Sequence, residues 1–338
     1  MKKREKEEID FSILRPSQSY LDDISGLLDE AEKAANDLMK ETSKHTGTVN
    51  APKAEKTEEA PPPKPDLDQL LKELDELVGL KKVKENVHSL INLVKVRKLR
   101  EERELPTPTM SLHLVFMGNP GTGKTTVARL VAQLYYSIGV ISKGQLVEVD
   151  RSGLVAGYVG QTAIKTKEAI DKALGGVLFI DEAYSLTNTQ NGQTDFGREA
   201  IDTILKAMED HRDDFVVIVA GYDELMEEFI HSNPGLESRF NRYIFFDDYT
   251  GEELMDIFRL RCKKNSYKLD EEAERFAIEM FNRLYAQRDE NFGNAREVRN
   301  FFENCVAVHS DRIAPMEDPT DEEITTFKKE DLEKAAEM

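Results

Sequence analysis

One stretch limits this chain more than any other: Gly118-Asn119-Pro120-Gly121-Thr122-Gly123-Lys124-Thr125-Thr126. It fits G-x-x-x-x-G-K-[ST], a loop whose backbone N–H groups cradle phosphates. Before it, Leu112-His113-Leu114-Val115-Phe116-Met117 reads as a short apolar strand; after it, Val127 to Tyr136 reads as a helix with an apolar face. Strand, glycine loop and helix in that order bring the loop N–H groups and the positive end of the helix onto one anion. There Lys124 can reach the β- and γ-phosphates of a nucleotide, and the Thr125 hydroxyl can ligate Mg²⁺. A chance glycine turn is the competing reading. The motif, its context and a matching acidic strand downstream weigh against it.

That acidic strand is Gly176-Val177-Leu178-Phe179-Ile180-Asp181-Glu182, an apolar run ending in two carboxylates. In a parallel sheet, ligands gather beyond the carboxyl ends of strands. Asp181 is then placed to hold Mg²⁺ and Glu182 to polarise an attacking water. Alone, such a pair is commonly a solvated strand end. Coupled to the loop at 118–125, it reads as hydrolytic.

The 338 residues suffice for two or three domains. A net charge of -19 makes the chain a poor match for sequence-independent nucleic-acid binding, which needs a basic surface. No apolar run has membrane-spanning length, and the first residues lead into acids, so a cytoplasmic protein is expected. Cys262 and Cys305, far apart and without C-x-x-C spacing, read as reduced, packed thiols. Residues 1–50 form an acidic segment with one amphipathic helical patch, Leu21, Ile24, Leu27, Leu28, Ala31, Ala34 and Leu38. It reads equally as a docking helix for a partner or as a helix packed on its own body. Residues 51–66 form a proline-rich linker. Strands are expected at 112–117, 145–149, 177–181, 215–220 and 243–247. Helices fill 124–137, 162–174, 196–211 and 223–231 between them, the alternation of a parallel α/β sheet over 67–249. From 250 to 338 the pattern becomes all-helical, at 251–264, 270–287, 295–312 and 328–337.

The stretches Met117 to Arg129, Tyr158-Val159-Gly160-Gln161-Thr162, Leu178 to Tyr184, Ala220-Gly221-Tyr222 and Asn233 to Phe240 together resemble an AAA+ ATPase. Within that superfamily, residues 68 to 315 resemble the CbbX and stage V sporulation protein K group. The resemblance implies a P-loop NTPase sheet flanked by helices and followed by a small helical lid. It also implies ATP and Mg²⁺ as cofactors, with Gly118 to Thr126 as the nucleotide cradle. Gly79 and Leu80, after Val78, match the adenine-side segment; taken alone, a helix break is the better reading of them. Tyr158, Val159 and Gly160 match the loop that lines the central pore and grips a peptide; taken alone, those residues read equally as a tyrosine packed under its own loop. Arg239 matches the arginine finger supplied to a neighbouring subunit, with Arg242 close enough to compete. Arg296 matches the second sensor, with Arg299 as the alternative. Tyr222 stands where the Asn or Thr of the first sensor is usual, so that role has no owner.

The expected protein is therefore an ATP hydrolase, assembled as a homo-oligomeric ring, usually a hexamer. It would remodel or thread a protein client of unknown identity, without membrane or nucleic-acid partners. Three rival readings share the ATPase core: a nucleotide-switched scaffold that docks partners through residues 1–50, a Rubisco activase, and a DNA motor of the helicase or clamp-loader kind.

Overall fold

A computed structural model of the protein describes residues 63–108, 110–158, 160–187, 196–289 and 291–338. The apolar patch from Leu21 to Leu38, residues 51–62 and Val159 lie outside the described residues.

Two helices come first, α1 (Leu67–Asp75) and α2 (Lys81–Glu102). The Asp66 side chain caps α1 by accepting from the Asp68 N–H. The sheet region follows: β1 (Leu114–Gly118), α3 (Lys124–Ser137), β2 (Leu146–Val149), α4 (Arg151–Leu154), α5 (Gln161–Ala173) and β3 (Val177–Ile180). After a 3-10 turn over Ala183–Thr187 come α6 (Phe196–Asp210), β4 (Val216–Gly221), α7 (Asp223–His231), α8 (Pro234–Arg239) and β5 (Tyr243–Phe246).

The five strands are all parallel, in the order β2-β3-β4-β1-β5. Phe116 of β1 lies opposite Ala220 of β4 on one side and Ile244 of β5 on the other. Side chains alternate across the sheet, so β1 to β4 feed two cores, while β5 buries only Ile244 and Phe246 and leaves Tyr243 and Phe245 exposed. Leu114, Phe116, Phe179 and Ile218 pack with α1, α2 and α3; Val115, Met117, Leu178 and Val217 pack with α5, α6 and α7. Because the strands run the same way, Gly118, Ile180 and Gly221 all emerge on one edge.

A third core lies in the C-terminal helices, α9 (Gly251–Lys264), α10 (Glu271–Ala286), α11 (Ala295–Ile313), α12 (Asp321–Thr325) and α13 (Lys329–Ala336). Its centre is aromatic: Phe258, Phe281, Phe301, Phe302 and Phe327. Thr250 and Glu253 form a capping box that starts α9. Cys262 and Cys305 are free and buried in this core, and burial pushes the Cys262 thiol up to about 12. Among the described residues no helix is long and apolar enough to cross a membrane.

The strands and helices read from the sequence fall within two residues of the observed limits. Some short features were not expected. The C-terminal region also holds a parallel ladder, β6 (Lys268–Leu269) with β7 (Thr326–Phe327); strands this short show no alternation to read. Helices α4, α8 and α12 are likewise too short for helical periodicity. At α8, Asn233 accepting from the Gly235 N–H, with Pro234 next, is nevertheless a helix-start signal.

Candidate nucleotide site

The carboxyl ends of β1, β3 and β4 open on one cleft of about 350 Å³, within the range of roughly 300–1,000 Å³ usual for small-molecule sites. Gly118, Pro120, Gly121, Gly123, Lys124, Thr125 and Thr126 line it, with Asp181 and Glu182 from the end of β3 and Arg296 from α11. Residues spread over the chain thus meet because a parallel sheet delivers its strand ends to one place.

The loop is built for an anion. Gly123 caps α3 with a φ of 96° and no capping side chain, so the first N–H groups of this 14-residue helix have no side-chain acceptor at the cap. The Lys124 ammonium donates to the Gly118 carbonyl at 2.7 Å and the Asn119 carbonyl at 2.8 Å, lying across the loop. Burial lowers its pKa to about 8; Asp181 and Asp223 oppose the shift and Arg296 adds to it. A desolvated cation of this kind gains from a polyphosphate placed beside it. Thr122 turns inward instead, its hydroxyl donating to the Asn119 carbonyl at 2.8 Å.

Asp181 extends the β3 pairing, its N–H donating to the Val149 carbonyl at 2.9 Å. The next residue, Glu182, has left-handed backbone, φ 48°. Such backbone costs roughly 1–3 kcal/mol and collects at functional sites. Thr125 and Asp181 offer hard oxygen donors in one cleft, the chemistry that suits Mg²⁺.

The C-terminal region closes the cleft from another side. The Ala295 N–H donates to the Gly121 carbonyl at 3.2 Å, and the Tyr249 hydroxyl donates to the Thr122 carbonyl at 3.2 Å. A Cβ on Gly121 would lie 2.1 Å from the Gly293 carbonyl oxygen, so only glycine lets the two backbones meet. Neither Gly79 nor Leu80 is among the residues that line the cleft, although Leu80 lies beside Gly123 of the loop. Both have positive φ, and a Cβ on Gly123 would lie 3.6 Å from Leu80 Cδ1.

Two charged groups, one lining the cleft and one near Lys124, escaped the sequence reading. Arg261 of α9 lines the cleft beside Arg296 and Arg299, yet Arg259 to Lys264 reads as an ordinary solvated basic face. Its Cζ stands 5.8 Å over the Phe302 ring. Asp223 is close enough to influence Lys124, and its own pKa is raised by burial against the pull of Lys124. Tyr222 lines the cleft at the end of β4, its ring 6.1 Å from that of Tyr184.

Two expected groups stand apart. Arg239 lies at the amino edge of the sheet, in a separate pocket of about 380 Å³ with His113, Glu209 and Arg212. Its carbonyl accepts from the Ser111 hydroxyl. Arg242 is turned to backbone, its Nε donating to the Ser111 carbonyl at 3.3 Å. Tyr158 is 74% exposed, so it is not packed under its own loop. Gly160 beside it caps α5 at φ 78°, with open space where a side chain would sit.

Residues 114–248 match the ATPase family associated with various cellular activities (AAA), and residues 250–338 match the AAA lid domain. The chain is 43% identical over 232 residues to stage V sporulation protein K of Bacillus subtilis, covering 68% of this chain and 71% of that one. It is 44% identical over 226 residues to the chloroplastic ribulose bisphosphate carboxylase/oxygenase activase of Cyanidioschyzon merolae, covering 66% and 76%. A solved mutant of Thermotoga maritima RuvB superposes with a TM-score of 0.51 at 18% identity, over 78% of this chain and 71% of that chain, a likeness of fold alone. With the phosphate loop, the acid pair and the helical lid in one arrangement, and with relatives this similar over most of their length, the chain belongs to the AAA+ ATPase family.

Proposed function

We propose that the protein hydrolyses ATP and uses the cycle to remodel or thread a protein client through the pore of a homo-oligomeric ring, as a cytoplasmic machine. One observation carries this reading. Lys124, Asp181, Glu182 and Arg296 share one cleft, while Arg239 stands at the opposite edge of the same sheet. A finger placed there can serve a nucleotide only in another copy of the chain.

In this reading the loop from Gly118 to Thr126 holds the phosphates, and Gly79 and Leu80 border the adenine. Lys124 balances charge on the β- and γ-phosphates. Glu182 takes up the proton of the attacking water. Arg296 neutralises charge growing on the γ-phosphate within its own subunit, and Arg239 does so across the interface. Thr125 and Asp181 would hold Mg²⁺, which supplies Lewis-acid charge to the phosphate oxygens. Tyr158 and Gly160, with Val159 between them, form the loop that contacts the client; the exposed ring on an open glycine-flanked loop suits a peptide-gripping role. A narrower version, in which the client is an inhibited Rubisco, draws on the name of the Cyanidioschyzon merolae relative.

The test is ATPase rate against protein concentration, with size read by light scattering. Activity that rises with assembly is expected. Full activity from a strict monomer would remove Arg239 as a finger and leave a nucleotide-switched scaffold as the better account.

A further inference from the structure

Beside the Ala295 and Tyr249 contacts, a buried amide joins the phosphate loop to the lid. Asn294 caps α11, two residues before Arg296, and is fully buried. Its backbone has φ 51° and ψ -126°, a region that glycine takes readily and other residues rarely. The side chain uses both ends. Its Oδ1 accepts from the Tyr249 N–H at 2.9 Å, and its Nδ2 donates to Asp248 Oδ1 at 2.7 Å and to the Phe292 carbonyl at 3.0 Å. The same amide reaches the Pro120 carbonyl at 3.4 Å. Asp248 in turn accepts from Asn119 Nδ2, at 3.0 Å on one oxygen and 3.3 Å on the other. Arg288 Nε stands 3.6 Å from Asp248 Oδ2.

The chemistry explains the residue type. The position needs an acceptor for Tyr249 and a donor for Asp248 on one short side chain. Glycine satisfies the backbone but offers neither. Aspartate keeps the acceptor but sets a second carboxylate against Asp248 in a buried site, where like charges repel strongly.

We propose that Asn294, held by Asp248, is the positioning residue that fixes Arg296 against the phosphate loop, so that Asn119 and the lid arginine move as one body. The inference rests on the reading that Arg296 serves a nucleotide in this cleft. The Lys124 ammonium is held by the Gly118 and Asn119 carbonyls rather than by Asn294 or Asp248, so loss of the link should reduce turnover more than nucleotide binding.

The experiment compares the full-length protein with N294D, D248N and the N294D/D248N exchange. It reads kcat, KM, affinity for a fluorescent ADP analogue and melting temperature. N294D should lose roughly tenfold or more in kcat while ADP affinity stays within about threefold. In the exchange the amide and the carboxylate trade places, so the hydrogen bond can re-form with donor and acceptor reversed. An Asn at 248 keeps an oxygen that accepts from Asn294 and Asn119, so D248N should stay near wild type, and the exchange should recover kcat well above N294D. N294D at wild-type kcat, or an exchange no better than N294D, would overturn the proposal. If N294D does not fold, N294G decides, because glycine accepts the backbone: a fall in kcat with an intact melting transition supports the link, and wild-type kcat overturns it. Wild-type protein that binds no ADP analogue would instead sink the nucleotide reading itself.

Discussion

Arg239 and Glu209 form an ion pair, Nη2 to Oε2 3.1 Å, at the edge of the sheet opposite Lys124. The guanidinium also donates to the Gly235 carbonyl at 3.3 Å. It is therefore held in place, away from the cleft that Lys124 and Arg296 line. Arg239→Ala should keep ATP binding and lose roughly 10³-fold in kcat, the usual scale for a finger. Mixing it with Glu182→Gln protein should restore part of the activity, because the second protein lends its Arg239 to an intact site. Mixed assemblies no more active than either parent would argue against a finger supplied in trans.

Arg261 should matter for nucleotide affinity. It lines the cleft with Arg296 and Arg299 and rests over Phe302, with no carboxylate pair among the described residues. A charge-assisted contact to phosphate is worth about 1.5–3 kcal/mol. Arg261→Ala should accordingly raise the KM for ATP by roughly tenfold or more, with a smaller change in kcat. A KM unchanged in steady-state kinetics would leave Arg261 a surface residue.

His113 predicts an acid limb of stability. Its Nδ1 accepts from the Val217 N–H at 3.0 Å, and its pKa is lowered to about 4, first by burial and then by Arg239. Unfolded, the ring takes a proton near its ordinary value of 6.5. Between these values the unfolded chain binds more protons, so stability falls as pH drops from 6.5 towards 4, and the contribution is lost below that. The window is worth at most about 3 kcal/mol. His113→Asn keeps an acceptor for Val217 without titrating. Urea midpoints at about pH 7 and about pH 5, either side of the ordinary histidine value, should lie closer together in the variant; an equal gap would show that other groups set the limb.

The lid carries a buried ion pair whose rupture should be costly. Asp331 is 1% exposed and accepts from Arg312 Nε and Nη2, both at 2.8 Å. Asp331→Ala leaves the guanidinium without its main partner and should cost about 3–5 kcal/mol. Denaturant unfolding measures this directly. A loss under about 1 kcal/mol would mean that water or Glu330 replaces the carboxylate.

How much was legible in the sequence depended on the range of each determinant. Gly118 to Thr126 could be read because a glycine loop, a lysine and a hydroxyl are neighbours along the chain. Asp181 and Glu182 could be read because they end an apolar run. Arg261 could not, since nothing within Arg259 to Lys264 separates a cleft residue from a solvated one. Asp248 and Asn294 are 46 residues apart, and each looks like an ordinary turn residue until they meet in a hydrogen bond of 2.7 Å.

By itself, then, the sequence determined the alternation of elements, the phosphate loop and the acid pair, because each follows from local backbone freedom and side-chain period. Only the tertiary structure decided the strand order β2-β3-β4-β1-β5, the gathering of Lys124, Glu182, Arg261 and Arg296 around one cleft, and the removal of Arg239 to the other edge. Those outcomes depend on which strands pair and which cores close, and burial of apolar surface between distant segments settles that without leaving a mark on any one stretch of chain.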